Sequence, residues 1–344
     1  MILKNRFIFL FFLIFTFLLL YIIIKPSQKQ KTAVPTFSRK IERTLKPDSL
    51  IKSDTVKGTY RLYAFGDSIF LMSDKGAFIA DARLTTIRQL EILPKGSSIY
   101  YFEKFADTIA YFDIDKKTLY LKANNFFAKT LSGLPGNALF QNGKFLYSEI
   151  LKDSVSDQAV IEEWDPFSHK KETKINVNEL VKNKINGYTE CLSSTLEGNF
   201  FKADNKTWGY LFYVGGFFLI KRNDQVLLIP TIDKTPFRKY ELREVKMGNL
   251  TAYVCKSDNE SMINYAAASD GKDLYILSGK ILLRPGEQLY APIDVYDLKN
   301  FEYKYTFQAP MPNKNNYTYL MTIANDYLYL FFKDGQLIRY KIKQ

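Results

Sequence analysis

The sequence predicts an all-β domain that follows a single transmembrane helix at the N-terminus. Residues 7–24 are apolar except for Thr16 and the hydroxyl group of Tyr21. From residue 59 onward, short runs of alternating apolar and polar residues are separated by turn residues. The 24 tyrosines and 28 phenylalanines also favour strands over helices. Together these observations indicate a large sheet domain attached to a membrane.

Residues 7–24 are long enough to span a bilayer. As an α-helix, 18 residues rise about 27 Å, close to the roughly 30 Å of the hydrocarbon core. Lys4 and Arg6 precede the run, as in a secretory signal, but no small-x-small cleavage site follows it. We therefore predict an uncleaved signal anchor, with a cleaved signal peptide as the alternative. A buried core helix would need a polar face, which this run lacks.

Positive residues flank both ends of the predicted helix, among them Lys4 before it and Lys25 after it. By the positive-inside rule alone, the large domain would stay in the cytoplasm. Long domains are translocated largely regardless of charge, however, and a short tail with two charges usually stays inside. We therefore expect a cytoplasmic tail at residues 1–6 in a single-pass protein of the cell inner membrane. The large domain then faces the periplasm or the exterior.

The formal charge of +12 is distributed unevenly along the chain. Residues 1–58 carry a net charge of +8, and residues 59–344 carry only +4. The basic residues therefore concentrate beside the membrane, where they can contact lipid head groups. Because residues 59–344 are nearly balanced and show no basic stripe, we expect no nucleic-acid partner.

A unit of strand, tight turn and strand recurs after residue 58. The segment Phe65–Ile79 aligns without gaps onto Val214–Leu228, and both contain turns between apolar runs. Asp-Gly and similar pairs at such turns are hairpin signals. Related units begin with the turn segments Phe105–Asp107, Gln141–Gly143, Ser269–Gly271 and Ala324–Asp326.

Six such units in residues 59–344 fit the length of blades with four strands each. The chain therefore looks like a six-bladed β-propeller of four-stranded antiparallel blades. It resembles the membrane-anchored or exported propellers of bacteria whose functions are uncharacterised, and this resemblance implies the fold but no activity. The WD, kelch and NHL-type signatures are absent from the sequence. Residues 177–206 are irregular and include a possible short helix at 177–183. A seventh, degenerate blade in this region is therefore an alternative.

Residues 25–58 are polar, contain Pro26, Pro35 and Pro47, and are predicted to form a linker. The last repeat supplies only three strands, and a propeller ring closes best when the other end of the chain supplies the fourth. Residues 38–45 alternate enough to form this closing strand, with a disordered linker as the alternative.

The longest loops are predicted to form a binding surface. In a four-stranded meander, the turn between the second and third strands lies on the same face as the connections between blades. Variable loops on a rigid scaffold are where binding usually resides, and tolerated surface insertions are the alternative. Arg284, Glu287 and Tyr290 are the predicted binding residues, because Arg and Tyr are frequent at interface hot spots. The long segments on this face are 152–158, 177–206, 245–262, 279–292 and 308–317.

The function predicted from these features is a binding module for a protein or envelope ligand. The alternative is a propeller-type enzyme (a hydrolase, a lyase or a quinoprotein-like dehydrogenase) with a site in the central funnel. No catalytic motif, phosphate loop, zinc motif or EF-hand occurs in the sequence, so no catalytic residue, metal site or cofactor is predicted. His169 is the only histidine and is predicted to lie in an exposed turn. Acidic or amide residues that recur at the turns are interpreted as turn caps, namely Asp67, Asp107, Asn142, Asp270 and Asp326.

Cys191 and Cys255 are the only cysteines. Two cysteines are too few for a disulfide-built scaffold or a metal knuckle. They can pair in an oxidising compartment, but spacing alone cannot show that they do. Because cysteine is among the most buried residue types, two buried free thiols are the favoured interpretation. The sequence therefore offers a possible disulfide and leaves it open.

Overall fold

The computed structural model describes residues 38–90, 99–105, 108–113, 115–116, 118–122, 126–130, 137–141, 143–151, 158–165, 168, 170–185, 191–247, 250–257, 261–279, 282–283, 288–312 and 316–343. Residues 39–344 form one compact unit. The predicted tail and anchor, residues 1–24, lie outside the described residues. Within the described ranges, no helix has the length and apolar character needed to cross a bilayer.

Strands dominate the described part of the chain, which contains only three short helices. The helices are a 3-10 turn at Asp54–Val56, α1 (Val177–Val181) and α2 (Leu192–Thr195). The strands in chain order are β1 (Ile41–Thr44), β2 (Pro47–Lys52), β3 (Arg61–Phe65), β4 (Ser68–Ser73), β5 (Gly76–Asp81), β6 (Ile87–Gln89), β7 (Ile99–Phe105), β8 (Thr108–Asp113), β9 (Thr118–Lys122), β10 (Phe126–Thr130), β11 (Asn137–Gln141), β12 (Lys144–Leu151), β13 (Gln158–Asp165), β14 (Lys170–Asn176), β15 (Gly198–Lys202), β16 (Thr207–Phe212), β17 (Phe217–Arg222), β18 (Gln225–Pro230), β19 (Glu241–Met247), β20 (Leu250–Lys256), β21 (Asn264–Ser269), β22 (Asp273–Ser278), β23 (Leu282–Leu283), β24 (Leu289–Asp297), β25 (Tyr303–Pro310), β26 (Thr318–Ala324), β27 (Tyr327–Phe332) and β28 (Gln336–Lys341).

Five sheets are four-stranded and antiparallel. Blades 1 to 4 follow one another along the chain as β3–β6, β7–β10, β11–β14 and β15–β18. The fifth, here called the closing blade, combines β26, β27 and β28 with β2 from near the N-terminus. The protein is therefore a β-propeller built mostly of four-stranded antiparallel blades.

The prediction of six uniform blades was wrong for residues 264–310. This unit belongs to a six-stranded sheet, here called the large sheet, in the order β1-β25-β24-β22-β21 with β23 paired to β24. Strand β1 runs parallel to β25, with Ile41 opposite Thr306. A parallel partner needs no adjacent turn, so the turn pattern of the sequence does not reveal it. Residues 177–206 contribute α1, α2 and β15, and a separate two-stranded hairpin, β19–β20, precedes the large sheet.

The closing strand lies further along the chain than the predicted segment, residues 38–45. Strand β2 pairs with β28, with Leu50 opposite Ile338, and so completes the closing blade. Residues 38–45 instead contain β1, and Leu45 is buried in the core of the large sheet. Both segments alternate in polarity, so alternation alone could not choose between them.

Apolar side chains fill the seams between successive sheets. Leu71 and Phe78 of blade 1, for example, pack with Leu320 and Phe331 of the closing blade. Similar clusters join the other neighbouring sheets in the described residues, as between blade 4 and the large sheet, where Phe218 lies 5.6 Å from Tyr296 between ring centroids. Because the last blade packs on the first, the sheets form a closed ring, and their first strands surround a central channel.

Candidate functional site

The two ends of the strands form two different faces of the propeller. Adjacent strands are antiparallel, so the turns after the first and third strands of each sheet lie on one face, here called the turn face. The connections between sheets and the turns after the second strands lie on the other, here called the connection face. Among the segments that join described strands, the longest are on the connection face. The three longest connection-face segments are 177–197, 231–263 and 279–288, each of which is described in part, and a shorter one is 311–317. Residues 152–157 lie outside the described residues.

Three of the connection-face segments are joined to one another. Cys191, just before α2, is disulfide-bonded to Cys255 in β20, with 5.8 Å between their Cα atoms. The Phe237 backbone N–H donates to the Lys184 carbonyl at 3.0 Å, so residues 177–197 contact residues 231–263 at a second point. The Gly279 N–H donates to the Ile263 carbonyl at 2.8 Å and thereby ties the start of residues 279–288 to the same segment.

Gly279 is needed where these segments meet. A Cβ atom at this position would lie 2.0 Å from the Met262 carbonyl oxygen, which is a backbone atom and cannot rotate away. The glycine in the sequence therefore permits the close approach of two connection-face segments. Sequence reasoning missed this signal, because a lone glycine before a predicted loop is equally typical of an ordinary turn or bulge.

The hairpin β19–β20 is a separate two-stranded sheet that follows blade 4 and precedes the large sheet in the chain. Leu242 is opposite Cys255, and Glu244 is opposite Tyr253, so these four side chains share one face of the hairpin. Tyr253 is 65% exposed and Leu242 is 47% exposed. An isolated hairpin is at best marginally stable in water, so the disulfide at its base is an important attachment. The result is an exposed apolar pair on a tethered hairpin.

A buried cluster of Arg39, Asp233 and Asp294 fixes the start of residues 231–263, the segment that contains the hairpin. Asp233 follows β18, and its Oδ2 lies 2.9 Å from Nη2 of Arg39. The Arg39 Nε also lies 2.9 Å from Oδ1 of Asp294 in β24, and Nη2 donates to Ser278 Oγ at 3.0 Å. Thr306 Oγ1 donates to the same Asp294 oxygen. Arg39 therefore joins the chain before β1 to the large sheet and to the hairpin segment.

Burial controls the ionisation of this cluster. The Arg39, Asp233 and Asp294 side chains are 8%, 1% and 2% exposed. Burial would lower the pKa of Arg39, but the two carboxylates more than offset this and raise it above its ordinary value. Burial raises the pKa of Asp294, and Arg39 offsets this only in part. The cluster thus places two buried carboxylates around one buried cation, and the Arg39 charge opposes the rise in the pKa of Asp294.

The structure locates only one of the three predicted binding residues. Arg284 and Glu287 lie outside the described residues. Tyr290 is not in a loop, because β24 begins at Leu289 and pairs Tyr290 with Leu282 and with Pro310. Its side chain is half-buried. In the sequence, Pro292 favours a loop, but it lies within β24. Proline is tolerated in a strand at positions where no backbone N–H is needed for a hydrogen bond to the neighbouring strand.

The turn face is formed by short turns with local hydrogen bonds. Asp270 Oδ1 accepts from the backbone N–H groups of Lys272 and Asp273, which fits the predicted capping role. Asp67 differs, because it accepts from the side chain of Asn325 in the closing blade at 2.6 Å. Asp107, Asn142 and His169 lie outside the described residues. No group of three or more His, Cys, Asp or Glu residues suited to a metal ion occurs among the residues that were placed.

The central channel contains a cavity of about 250 Å³. Its described lining comes from the first strands of blades 1, 3 and 4, of the large sheet and of the closing blade. Arg61 and Lys202 are the charged residues of this lining, and it includes no Asp, Glu or His. A hydrolase or lyase site built on paired carboxylates is therefore not found in the part of the channel that is described.

No protein-family model matches the chain, and no curated protein matches it. Solved structures with a similar fold include virginiamycin B lyase from Staphylococcus aureus, at 8% identity and a TM-score of 0.47, covering 86% of this chain and 99% of that one. Hsv2 from Kluyveromyces lactis has 11% identity and a TM-score of 0.44, covering 84% and 75%. The N-terminal domain of Nup159 has 10% identity and a TM-score of 0.41, covering 82% and 75%. At these identities and TM-scores, the likenesses support no conclusion about this chain beyond what its own strands show.

Proposed function

We propose that the protein is a membrane-anchored, extracytoplasmic β-propeller that binds a protein or envelope ligand through its connection face. The observation that carries this proposal is the hairpin β19–β20, which presents Leu242 and Tyr253 to solvent from a disulfide-tethered base. Large aromatic side chains on a supported element are typical anchors at protein interfaces. The pair differs in this respect from the other large apolar side chains of the described chain, which are mostly buried.

Two features support export and anchoring. Disulfides persist in oxidising compartments and are rare in the cytosol of mesophiles, so the bond between Cys191 and Cys255 supports an extracytoplasmic domain. Residues 7–24 supply an apolar run of spanning length and no cleavage site. The protein is then a single-pass protein of the inner membrane, with the propeller on the periplasmic or exterior side.

The large sheet is the sixth blade in this proposal. Strands β21, β22, β24 and β25 follow one another in the order of a four-stranded blade. Strand β1 and the short β23 are additions to that blade. Its first strand, β21, contacts β15 of blade 4 and β26 of the closing blade, as the first strand of an intervening blade would.

The predicted residues of the loop 279–292 fit the same surface. Gly279 is tied to Ile263, so the loop starts beside the segment that contains the hairpin. Arg284 and Glu287, which lie outside the described residues, are proposed to supply charged contacts to the ligand, as in an interface with a polar rim. Tyr290, half-buried near the start of β24, borders the same loop and completes the predicted set of binding residues.

Site-specific photocrosslinking in the producing cells tests this function. A benzoylphenylalanine placed at Tyr253 is expected to form one dominant covalent adduct, whose yield falls in the Arg284→Ala background. The matched control places the same probe at Leu50 of the closing blade, which is 54% exposed and lies in a different sheet from the hairpin. Adducts at Leu50 and none at Tyr253 would show that binding uses another surface.

A further inference from the structure

The central channel carries a second feature that the proposed function does not use. Arg61 is the first residue of β3 in blade 1, and its Nη2 donates to the carbonyl of Ala138 in β11 of blade 3. Blade 2 lies between these two blades in the ring. The guanidinium group must therefore extend across the channel, and it lies within the cavity that both strands line.

Asn199 lies at the same end of the channel. Asn199 and Ala138 are each the second residue of their strands, and Arg61 is the first residue of β3. First strands begin on the connection face, so all three residues lie near that mouth. The Asn199 Oδ1 atom is buried, and none of the described residues donates a hydrogen bond to it. A buried acceptor without a donor costs about 1–3 kcal/mol, so such an atom indicates a missing hydrogen-bond partner.

The charged residues of the channel lining favour a negatively charged ligand. Arg61 near the connection face and Lys202 at the far end of β15 are cationic, and the described lining contains no carboxylate. Most of the other lining residues carry apolar side chains, as in the run Ala266–Ala268 of β21, but polar atoms form the larger part of the cavity surface. Inside the channel, where the two cations are less solvated than at the open surface, they attract an anion more strongly.

We propose that the channel binds a small carboxylate that carries an N–H or O–H donor next to its acid group. The carboxylate accepts from the Arg61 guanidinium, whose planar donors match its two oxygens. The adjacent donor satisfies Asn199 Oδ1. Sulfate presents only acceptor oxygens at neutral pH and would leave Asn199 Oδ1 without a donor. The cavity of about 250 Å³ is below the 300–1,000 Å³ that is common for drug-sized ligands, so it suits a single small acid or the end of a peptide chain.

Binding of simple probes to the purified full-length chain in detergent tests this inference, and it needs no partner of the hairpin. N-acetylglycine has both the carboxylate and the neighbouring N–H, and we expect saturable binding by saturation-transfer NMR. Acetate lacks the donor and N-acetylglycinamide lacks the charge, so each is expected to bind about tenfold more weakly or not at all. Equal binding of acetate and N-acetylglycine would overturn the role of Asn199, and no binding of N-acetylglycine would overturn the site.

Variants assign the binding to the two residues. Arg61→Gln is expected to weaken N-acetylglycine binding by about 10- to 100-fold, as for the loss of a charge-assisted pair. Arg88→Gln, an exposed position in the outer strand of the same blade, is the matched control and should bind like the wild type. If Arg61→Gln does not fold, Asn199→Asp keeps the test decisive, because the added negative charge should abolish binding. Unchanged binding in Asn199→Asp would contradict the proposal.

Ligands of different length distinguish a free small acid from the C-terminal end of a peptide as the source of the carboxylate. A decapeptide with a free C-terminus that binds more tightly than N-acetylglycine, together with no binding of its amidated form, would identify a chain end as the ligand. Exclusion of the decapeptide with retained N-acetylglycine binding would identify a free small acid.

Discussion

The turn face and the connection face of the propeller are held together by different kinds of contact. On the turn face, Asp204 Oδ1 accepts from the N–H groups of Lys206 and Thr207 at 2.7 and 2.8 Å, and Asp270 caps its turn in the same way. On the connection face, Cys191 is bonded to a residue 64 positions away, and Arg39 contacts Asp233 at a separation of 194. Local caps keep the turns short and similar, even where a turn also contacts its neighbour, as Asp67 contacts Asn325. The connections vary in length because contacts between distant residues fix them.

The largest expected effect is at the buried cluster of the connection face. Arg39→Met should destabilise the domain by about 3–5 kcal/mol, because it leaves Asp233 and Asp294 buried without their cation. Urea unfolding followed by tryptophan fluorescence measures the change. Lys40→Met, at the exposed neighbouring position, is the control and should shift the free energy of unfolding by less than about 0.5 kcal/mol. Equal effects at the two positions would mean that Arg39 does not hold this face together.

The loss in the free energy of unfolding caused by Arg39→Met should also depend on pH. The pKa of Asp294 is raised in the folded protein, so its contribution to stability is fully present below its ordinary pKa of about 4 and is lost as pH rises through the raised value. Removing Arg39 removes the charge that opposes this shift. The stability difference between wild type and variant should therefore be greatest near neutral pH and shrink as pH falls toward about 4. A difference that is constant with pH would indicate lost packing in place of lost charge.

The second effect concerns the disulfide. Replacing Cys191 and Cys255 together by alanine should cost roughly 2–4 kcal/mol, because the bond closes a loop across a sequence separation of 64 residues. Limited proteolysis of the variant should cut first within residues 241–256, since the hairpin loses its covalent attachment. Reduction of the wild type should reproduce both results. If reduced and oxidised wild type unfold at the same urea concentration, the hairpin is held by its other contacts.

A pair of glycine substitutions separates the two faces directly. Gly279→Ala on the connection face should cost about 1–3 kcal/mol, because its Cβ would lie 2.0 Å from the Met262 carbonyl oxygen. Gly66→Ala on the turn face has open space around the new Cβ but a φ of +56°, so only the backbone conformation is penalised, by about 1 kcal/mol. Gly66→Asn should recover most of that loss, as asparagine tolerates this conformation. Recovery by asparagine at Gly279 would contradict a steric origin there.

The difference between the faces also determines what the sequence could predict. The turn-face hairpins contain their own signals, so the all-β class, the repeated units and the turn cap at Asp270 were accessible from the residues. Because these hairpins resemble one another, however, the sequence did not show which strands of its blade one repeat forms. Phe65–Ile79 covers the second and third strands of blade 1, whereas Val214–Leu228 covers the third and fourth strands of blade 4. Hairpins within one meander share a pattern, and their place in the blade depends on packing.

The connection face was predictable in position but not in detail. Alternation of strand direction was enough to place the long segments on one side of the ring. The contact of Arg39 with Asp233, the bond of Cys191 with Cys255 and the inclusion of Tyr290 in β24 depend on residues far apart in the chain. Spacing does not encode such contacts. Arg61 and Asn199 are likewise far apart in the chain, and both line the channel only because the ring closes.

The smallest expected effect on stability is at the residues proposed to bind the partner. Tyr253→Ser should change the free energy of unfolding by less than about 0.5 kcal/mol, because the side chain is 65% exposed and supports no core. Tyr296→Ser is the buried comparison at 1% exposure and should cost about 3–5 kcal/mol. Urea unfolding with an unchanged m-value measures both. A loss above about 1.5 kcal/mol for Tyr253→Ser would mean that the hairpin folds down onto the connection face in solution, and the apolar pair would then be part of the core of that face and not its binding surface.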